Sequence, residues 1–181
     1  MLSTLRNAWK VPDLKKRLIF TFLMLVLFRM GNFILVPGID QMKLKSLTEA
    51  GNGNLFSFYD LISGGAFSKF SIFAMGVAPY INSSIIFQLL TIAIPSLEQL
   101  SKEGEEGRKK IQQYTRYWAV VFAVLQGLST YVIISRAGAL QDTSKLNMVL
   151  IILTLTTAST FLMWFGDKLT EHGIGNGISL I

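Results

Sequence analysis

The chain alternates long apolar stretches with shorter polar segments. Residues 18–36, 70–94, 117–135 and 146–165 are dominated by aliphatic and aromatic side chains. A helix needs about 20 predominantly apolar residues to cross the hydrocarbon core of a bilayer. The pattern therefore predicts four complete transmembrane helices, and residues 175–181 predict the start of a fifth.

A shorter apolar stretch, residues 55–69, comes before the second predicted span. Leu55 to Ala66 is too short to cross a bilayer, and Gly64 and Gly65 disfavour helix because glycine loses the most backbone entropy there. The sequence predicts a half-helix that enters the membrane without crossing it. Physical reasoning alone leaves three interpretations open: an interfacial loop helix, a selectivity-filter element, or the broken helix of a transporter.

The second predicted span has a polar side that lipid would penalise. Val77 and Ile81 lie four residues apart on one helical face, so a bare aliphatic stripe stands beside the polar one. Polar groups in hydrocarbon are costly unless protein or water satisfies them, so we expect the polar side to face protein or water. Its members are Gly76, Pro79, Asn82, Ser83, Ser84, Gln88 and Thr91.

Composition narrows the class of protein. The chain is 51% hydrophobic and 15% charged, which is typical of an integral membrane protein. It has no cysteine and a single histidine, so we expect no disulfide, no thiolate chemistry and no metal or cofactor site. Asp167, Glu171 and His172 could do acid–base work, but no nucleophile accompanies them in the sequence. We therefore predict no catalytic residues and no enzyme.

The basic residues gather at the ends of the apolar stretches, which indicates membrane topology rather than nucleic-acid binding. Eleven of the 17 Lys and Arg residues lie in 1–17, in 98–116 or at Lys168. The positive-inside rule then predicts a cytoplasmic interfacial segment 1–17, a cytoplasmic loop 95–116 and a cytoplasmic turn 166–174. Residues 37–54 and 136–145 become external loops. Arg29, inside the first span, either reaches the interface or has a buried partner.

Two long motifs resemble those of a known family. SIFAMGVAPYINSSIIFQLL, Ser71 to Leu90, resembles the signature of the SecY family, the channel subunits of the bacterial protein-conducting translocon. WFGDKLTEHGIGNGISLI, Trp164 to Ile181, is similar to that family's second characteristic segment. NFILVPGID and EGRKKIQQYTRY extend the likeness over the chain. The resemblance implies an all-α integral membrane fold, the N-terminal half of a ten-span channel.

The resemblance also implies roles for particular residues. Val77 and Ile81 match the pore ring, in which aliphatic side chains exclude water by dewetting yet offer no directional bonds to a passing polypeptide. Asn82 and Gln126 match a polar cluster at the lateral gate, where interhelical bonds are weak enough to break. Residues 55–69 match the plug that seals the resting pore. The plug residues are Phe56, Phe58, Tyr59, Leu61, Ile62, Ser63, Gly64, Gly65, Ala66 and Phe67.

The function implied by the resemblance is a channel that passes unfolded secretory polypeptides across the bacterial plasma membrane and membrane segments laterally into lipid. The implied partners are SecE-like and SecG-like subunits, a SecA motor ATPase or a ribosome, signal sequences and preproteins, and membrane lipid. No nucleic-acid contact is expected apart from ribosome docking. A secondary transporter is the rival class, but it would need ionisable groups at mid-membrane, and spans two to four contain none.

Overall fold

The computed structural model describes residues 11–40, 42–43, 65–66, 69–142 and 144–181. Their helices, in chain order, are α1 Pro12–Gly31, α2 Ala78–Ala93, α3 Pro95–Lys102, α4 Glu105–Arg136, α5 Lys145–His172 and α6 Gly177–Leu180. The only extended pairings in these ranges are two isolated bridges, between Leu35 and Ser71 and between Ile39 and Leu140. The predicted all-helical class is confirmed.

α4 is the central helix of the described part of the chain. It packs against α2 on one side and against α5 on the other, and α5 in turn contacts α1 and α6. Ala119, Ala123 and Gly127 are among the buried residues of α4. Small side chains at such positions let neighbouring helix backbones approach closely. The polar groove described below lies between α2 and α4.

The structure supports fewer membrane spans than the sequence predicted. Among the described residues, α4 and α5 are long and apolar enough to cross a bilayer. A third span exists only if α2 and α3 count as one, and they are bent by 100°. α1 falls short because it includes Lys15, Lys16 and Arg17, with the exposed Arg29 in its last turn. The prediction of four complete spans, and of ten in the family fold, is not confirmed.

The first predicted span, 18–36, differs from α1 at both ends. α1 begins at Pro12 because proline suits the first helical position, where its missing N–H would be unpaired anyway. The helix ends at Gly31, and residues 32–40, here called the strap, leave it in turns and extended backbone. The Ile34 carbonyl accepts a 2.9 Å hydrogen bond from the Ile72 N–H. The Val36 N–H donates a 3.1 Å bond to the Phe70 carbonyl.

The second predicted span, 70–94, is wrong over its first eight residues, since α2 begins only at Ala78. Residues 69–77 form turns in which Phe70 and Gly76 have left-handed backbone, with φ of 45° and 55°. The Phe70 carbonyl and the Ile72 N–H bond the strap, and the bonds within the segment, from Ala74 to Ser71 and from Gly76 to Phe73, close short turns rather than helix. α2 itself is then about 24 Å long at about 1.5 Å per residue.

The predicted loop 95–116 is also wrong, because most of it is helical. α3 begins at Pro95, and α4 begins at Glu105 after Gly104, which has a φ of 84°. Lys102 and Glu98 form an i,i+4 ion pair of 2.6 Å on α3. Alternating charges of this kind are typical of an exposed helix as well as of a loop.

The predicted turn 166–174 begins too early. α5 continues to His172, and the chain turns at residues 173–176 before α6. Gly166 is a close-packing position: a Cβ added there would lie 2.9 Å from Cγ1 of Ile178 on α6. The Asn176 side chain then accepts a 3.1 Å hydrogen bond from the Ile178 N–H and starts α6. The predicted loop 136–145 lies between the end of α4 at Arg136 and the start of α5 at Lys145, and residues 1–10, 41, 44–54 and 143 of the predicted segments lie outside the described residues.

Three buried clusters hold the elements together. The first joins the strap to the α4–α5 end of the molecule through residues such as Val36, Ile39 and Ile151. The second packs Met24 of α1 against Phe165 and Leu169 of α5. The third centres on Phe73, which lies against Ala158 and Leu162. Burial of these side chains fixes the turns that lead into α2.

Candidate functional site

One face of α2 is fixed against α4 by a buried hydrogen bond. Pro79, Ser83 and Phe87 are the buried residues of α2, and Ser83 has no exposed surface. The Ser83 hydroxyl donates a 2.8 Å hydrogen bond to the Thr115 carbonyl. A buried hydroxyl left without a partner would cost about 1–3 kcal/mol, so this bond sets the rotation of α2 about its axis. The other faces of α2 are thereby directed away from α4.

An aliphatic column runs along one of those other faces. Ile81, Ile85, Leu89 and Ile92 are 43%, 50%, 61% and 80% exposed. Residues at this spacing share one side of a helix. Such a continuous exposed apolar column normally contacts lipid, another protein segment or a passing chain.

A polar column lies beside the aliphatic one and holds part of the predicted polar side, since Pro79 and Ser83 are buried instead and Asn82 is exposed outside the column. It contains Tyr80, Ser84, Gln88 and Thr91, and it borders a groove of about 320 Å³ that α4 closes from the other side. Gln112 is one of the α4 residues in this groove. The polar side of α2 therefore faces protein and open space rather than a packed apolar core.

The two predicted pore-ring residues have different surroundings. Val77 precedes the first turn of α2, and its carbonyl accepts a 3.1 Å hydrogen bond from the Ile81 N–H. Val77 is half-buried and packs against the cluster that contains Phe73 and Leu162. Ile81 is exposed and belongs to the aliphatic column. The ring stays a prediction. Of the two residues, Ile81 is the one with an exposed side chain.

Asn82 and Gln126, the predicted lateral-gate pair, do not meet. Asn82 is exposed on α2, Gln126 is half-buried on α4, and no hydrogen bond joins their side chains. The Ser83 bond places Asn82 near the level of Thr115, and Thr115 is roughly 16 Å from Gln126 along the helix at about 1.5 Å per residue. The polar contact between these two helices is made by Ser83 instead. The sequence placed Ser83 on the polar side of the second span but gave it no role of its own.

Most of the predicted plug lies outside the described residues. Of its members, only Gly65 and Ala66 are described; Phe56, Phe58, Tyr59, Leu61, Ile62, Ser63, Gly64 and Phe67 lie outside the described residues. Ala66 is fully buried, and its carbonyl accepts a 2.9 Å hydrogen bond from the Ser71 N–H. The end of the predicted plug is therefore anchored beside the strap, and the plug itself stays a prediction.

Phe70 is a second residue that the sequence reasoning missed. It is 1% exposed, and its positive φ of 45° is a conformation that L side chains rarely adopt. Such backbone strain costs about 1–3 kcal/mol and persists only where the surroundings enforce it. The Val36 bond to its carbonyl and the apolar cluster around its ring supply that enforcement. Phenylalanine is not a turn residue, so the sequence carries no signal for this bend.

The three acidic and basic residues considered for catalysis are paired or exposed. Asp167 forms a 2.7 Å ion pair with Arg116, and Glu171 forms one of 2.7 Å with Lys168. His172 Nδ1 lies 3.8 Å from a Glu171 carboxylate oxygen. Asp167 is largely withdrawn from water, since its side chain is 14% exposed. The described residues contain no group of three or more acidic or histidine side chains arranged to bind a metal.

Comparison with known proteins places these features in a family. A family model described as SecY matches residues 71–181. Protein translocase subunit SecY of Streptomyces coelicolor is 40% identical over 194 residues, which cover 100% of this chain and 44% of that protein. The subunit of the same name from Thermotoga maritima is 40% identical over 190 residues, covering 100% of this chain and 44% of its own length. This chain spans less than half the length of these relatives.

A solved structure has the same fold. It is described as Sec61 in the canine ribosome-channel complex from the endoplasmic reticulum, and it superposes with a TM-score of 0.63 at 20% sequence identity. The superposition covers 96% of this chain and 39% of that one. At this identity the likeness concerns the arrangement of helices.

Proposed function

Because this chain belongs to the SecY family, we propose that it forms part of a protein-conducting channel. Unfolded secretory polypeptides cross the membrane through this channel, and apolar segments leave it sideways into lipid. The proposal concerns a protein of the relatives' length, since the chain covers 44% of the Streptomyces coelicolor and Thermotoga maritima subunits.

The exposed aliphatic column of α2 is the observation that carries the proposal. A channel for polypeptides of any sequence needs a seal that repels water but forms no directional bonds, and branched aliphatic side chains provide it. Ile81 stands at the start of the column, 43% exposed, and the Ser83 bond to Thr115 holds the opposite face of α2 in place. We assign Ile81 to the constriction, with Val77 supporting it from the packed side.

The plug and the lateral gate complete the proposal. Residues 55–69 are proposed to seal the resting pore, supported by the anchored Ala66 and the strained bend at Phe70. Asn82 and Gln126 are proposed to act at the lateral gate through polar partners on other elements of the channel. Their separation in the structure means that each needs its own partner.

We propose a bacterial plasma-membrane location with the N-terminus in the cytoplasm, on the strength of the basic residues in 1–17 and 98–116. The proposed partners are SecE-like and SecG-like subunits, with a SecA motor ATPase or a ribosome as the source of energy. The solved Sec61 neighbour belongs to a ribosome-channel complex, which is consistent with ribosome docking. Membrane sidedness can be tested with single cysteines, because the chain has none. Glu103→Cys should react with an impermeant thiol reagent from the cytoplasmic side and Asp142→Cys from the external side.

Photocrosslinking tests the central claim. A photoreactive amino acid at Ile81 of the full-length protein should crosslink a secretory polypeptide that is stalled during export. Val149 is a matched control, since it is 59% exposed on α5 but lies outside the proposed pore. Equal crosslinking at the two positions, or none at Ile81 while export proceeds, would show that α2 does not line the path.

A further inference from the structure

Two charged side chains that the proposed channel does not use meet where α2, α4 and α5 converge. Nη2 of Arg116 on α4 lies 2.7 Å from Oδ2 of Asp167 on α5. The side chains are 39% and 14% exposed, so both are partly withdrawn from water. Each stands at the end of a predicted apolar span, 117–135 or 146–165. The pair joins the two helices at one level.

Tyr80 brings α2 into the same cluster. Tyr80 borders a small cavity together with Ala119 of α4 and Ser159 of α5, and both Asp167 and Arg116 act electrostatically on its hydroxyl. Tyr80 and Gln112 also border the same groove. Tyr80 therefore lies where α2 meets both α4 and α5, and the next residue along α2 is Ile81.

Arg116 depends on its acidic partner. Its Nε atom is buried without a hydrogen-bond partner, so the bond to Asp167 carries much of the compensation for burying the cation. Removing one member of a partly buried pair leaves an uncompensated charge and is strongly unfavourable. Lys168 and Glu171, one turn away on α5, form a pair that is 40% and 54% exposed. An exposed pair of that kind contributes little, which makes it a natural control.

We infer that the Arg116–Asp167 pair, acting with Tyr80, is a latch that fixes α2 on α4 and α5 and keeps Ile81 in its sealing position in the resting channel. The inference rests on the proposed function. Asp167 is a positioning residue, because it acts on Ile81 only through Arg116 and Tyr80. With the latch broken, the Ser83 bond to Thr115 is the remaining buried polar contact between α2 and α4 in the described residues.

The test measures the resting ion conductance of the full-length channel in planar bilayers, without substrate. Asp167→Asn should raise it about tenfold, within the range of roughly 5–150-fold that is typical of coupling between sites. Glu171→Gln should leave it unchanged. Exchanging the charges in the double variant Arg116→Asp with Asp167→Arg should restore a tight channel. A lower melting temperature for Asp167→Asn with unchanged conductance would show a merely structural pair and overturn the inference.

A second measurement does not depend on transport. Nitroxide labels at Ile85→Cys on α2 and Trp164→Cys on α5 report the distance between these helices in the full-length protein, which needs no native cysteine removed from this chain. Asp167→Asn should shift or broaden the distance distribution, and Glu171→Gln should not. A shift in a protein that carries no polypeptide would refute the proposed function but keep the latch. An unshifted distribution in a protein that does carry polypeptide would refute the latch alone.

If Asp167→Asn fails to fold, Tyr80→Phe tests the latch instead. This substitution keeps the ring and removes only the hydroxyl, which interacts electrostatically with both charges. We expect a smaller rise in conductance than for Asp167→Asn and a distance shift in the same direction. Tyr80→Phe with wild-type conductance and wild-type distances would remove α2 from the latch.

Discussion

The same substitution at two glycines should have opposite effects on stability. Gly31 is the last residue of α1, and a Cβ added there would lie 2.8 Å from Cζ of the Phe73 ring. Phe73 is 5% exposed, with the Phe28 ring centroid 5.6 Å away and that of Phe161 6.3 Å away, both stacked. A Cβ at Gly31 can be accommodated only if the Phe73 ring leaves its stacked contacts with Phe28 and Phe161 and moves into the apolar cavity of about 800 Å³ that it lines, so Gly31→Ala should strain the packing.

Gly127 is the matched control. It lies inside α4, and a Cβ there would be 3.5 Å from Cγ2 of Ile152, an ordinary van der Waals contact. Replacing a helix-interior glycine with alanine stabilises a helix by about 0.5–1 kcal/mol, because the unfolded chain loses less entropy. Gly127→Ala should therefore stabilise the protein by about that amount.

The expected loss at Gly31 follows from two opposing terms. Overpacking a core typically costs about 1–3 kcal/mol. The gain in helix propensity is well below the usual value of about 1 kcal/mol, since Gly31 ends the helix. Gly31→Ala should therefore lower the free energy of unfolding by about 1–2 kcal/mol.

Both glycine variants can be compared by denaturant unfolding of the full-length protein in detergent micelles, followed by circular dichroism. The midpoint of Gly31→Ala should fall and that of Gly127→Ala should rise. If Gly31→Ala were as stable as the wild type, Phe73 would not be tightly held between α1 and α5, and the packing described for the third cluster would be refuted.

Three further experiments separate packing from function. Ile81→Ser should make the resting channel leak ions with little loss of stability, whereas Val77→Ser should mainly reduce stability, by about 1–2 kcal/mol, because Val77 is packed. Single-channel recording together with unfolding measurements distinguishes the two effects. A channel that stays closed to ions in Ile81→Ser would contradict the ring. Gln126→Leu should shift the gate equilibrium by an amount on the order of 1 kcal/mol and change the signal-sequence hydrophobicity needed for export; an unchanged threshold would make Gln126 a packing residue. Ser83→Ala should cost about 1 kcal/mol in unfolding assays and Ser84→Ala much less, and equal losses would argue against the buried bond to α4.

The two long helices were the most predictable part of the fold. The apolar stretches 117–135 and 146–165 both lie inside helices that are suited to crossing a membrane, because span length and hydropathy are local properties of the sequence. The adjacent aliphatic and polar stripes of α2 were equally predictable, since they follow from helical periodicity.

Three features were not predictable because contacts between residues that are distant in sequence determine them. The turns at 69–77 form because Phe70 and Ile72 bond the strap, which no local pattern reveals. Glycine normally disfavours helix, but Gly166 lies inside α5, where its lack of a side chain lets Ile178 pack closely against it. Ser83 resembles its polar neighbours in sequence, and only the position of the Thr115 carbonyl makes it the buried contact.

The first-span boundary and the 95–116 loop failed for a different reason. Charged residues in the sequence favour loop structure, yet Pro95 and Pro12 start helices that carry those charges on exposed faces. Arg116 and Asp167 show the reverse case. The sequence places them in a cytoplasmic loop and a cytoplasmic turn, and in the structure they form one partly buried ion pair between helices.

The strap has a consequence for the order in which the molecule assembles. The Asp40 N–H donates a 2.8 Å hydrogen bond to the Ala139 carbonyl, and the Gln141 N–H donates a 3.0 Å bond to the Gly38 carbonyl. Translation at about 5–20 residues per second separates the two sides of this contact by roughly 5–20 s. During that interval water must satisfy the Gly38 carbonyl and the Asp40 N–H, although α1 and the strap's bonds to Phe70 and Ile72 can already have formed. The last part of the strap is therefore fastened only after the α4–α5 connection has been made, and formation of the first helix precedes its final placement.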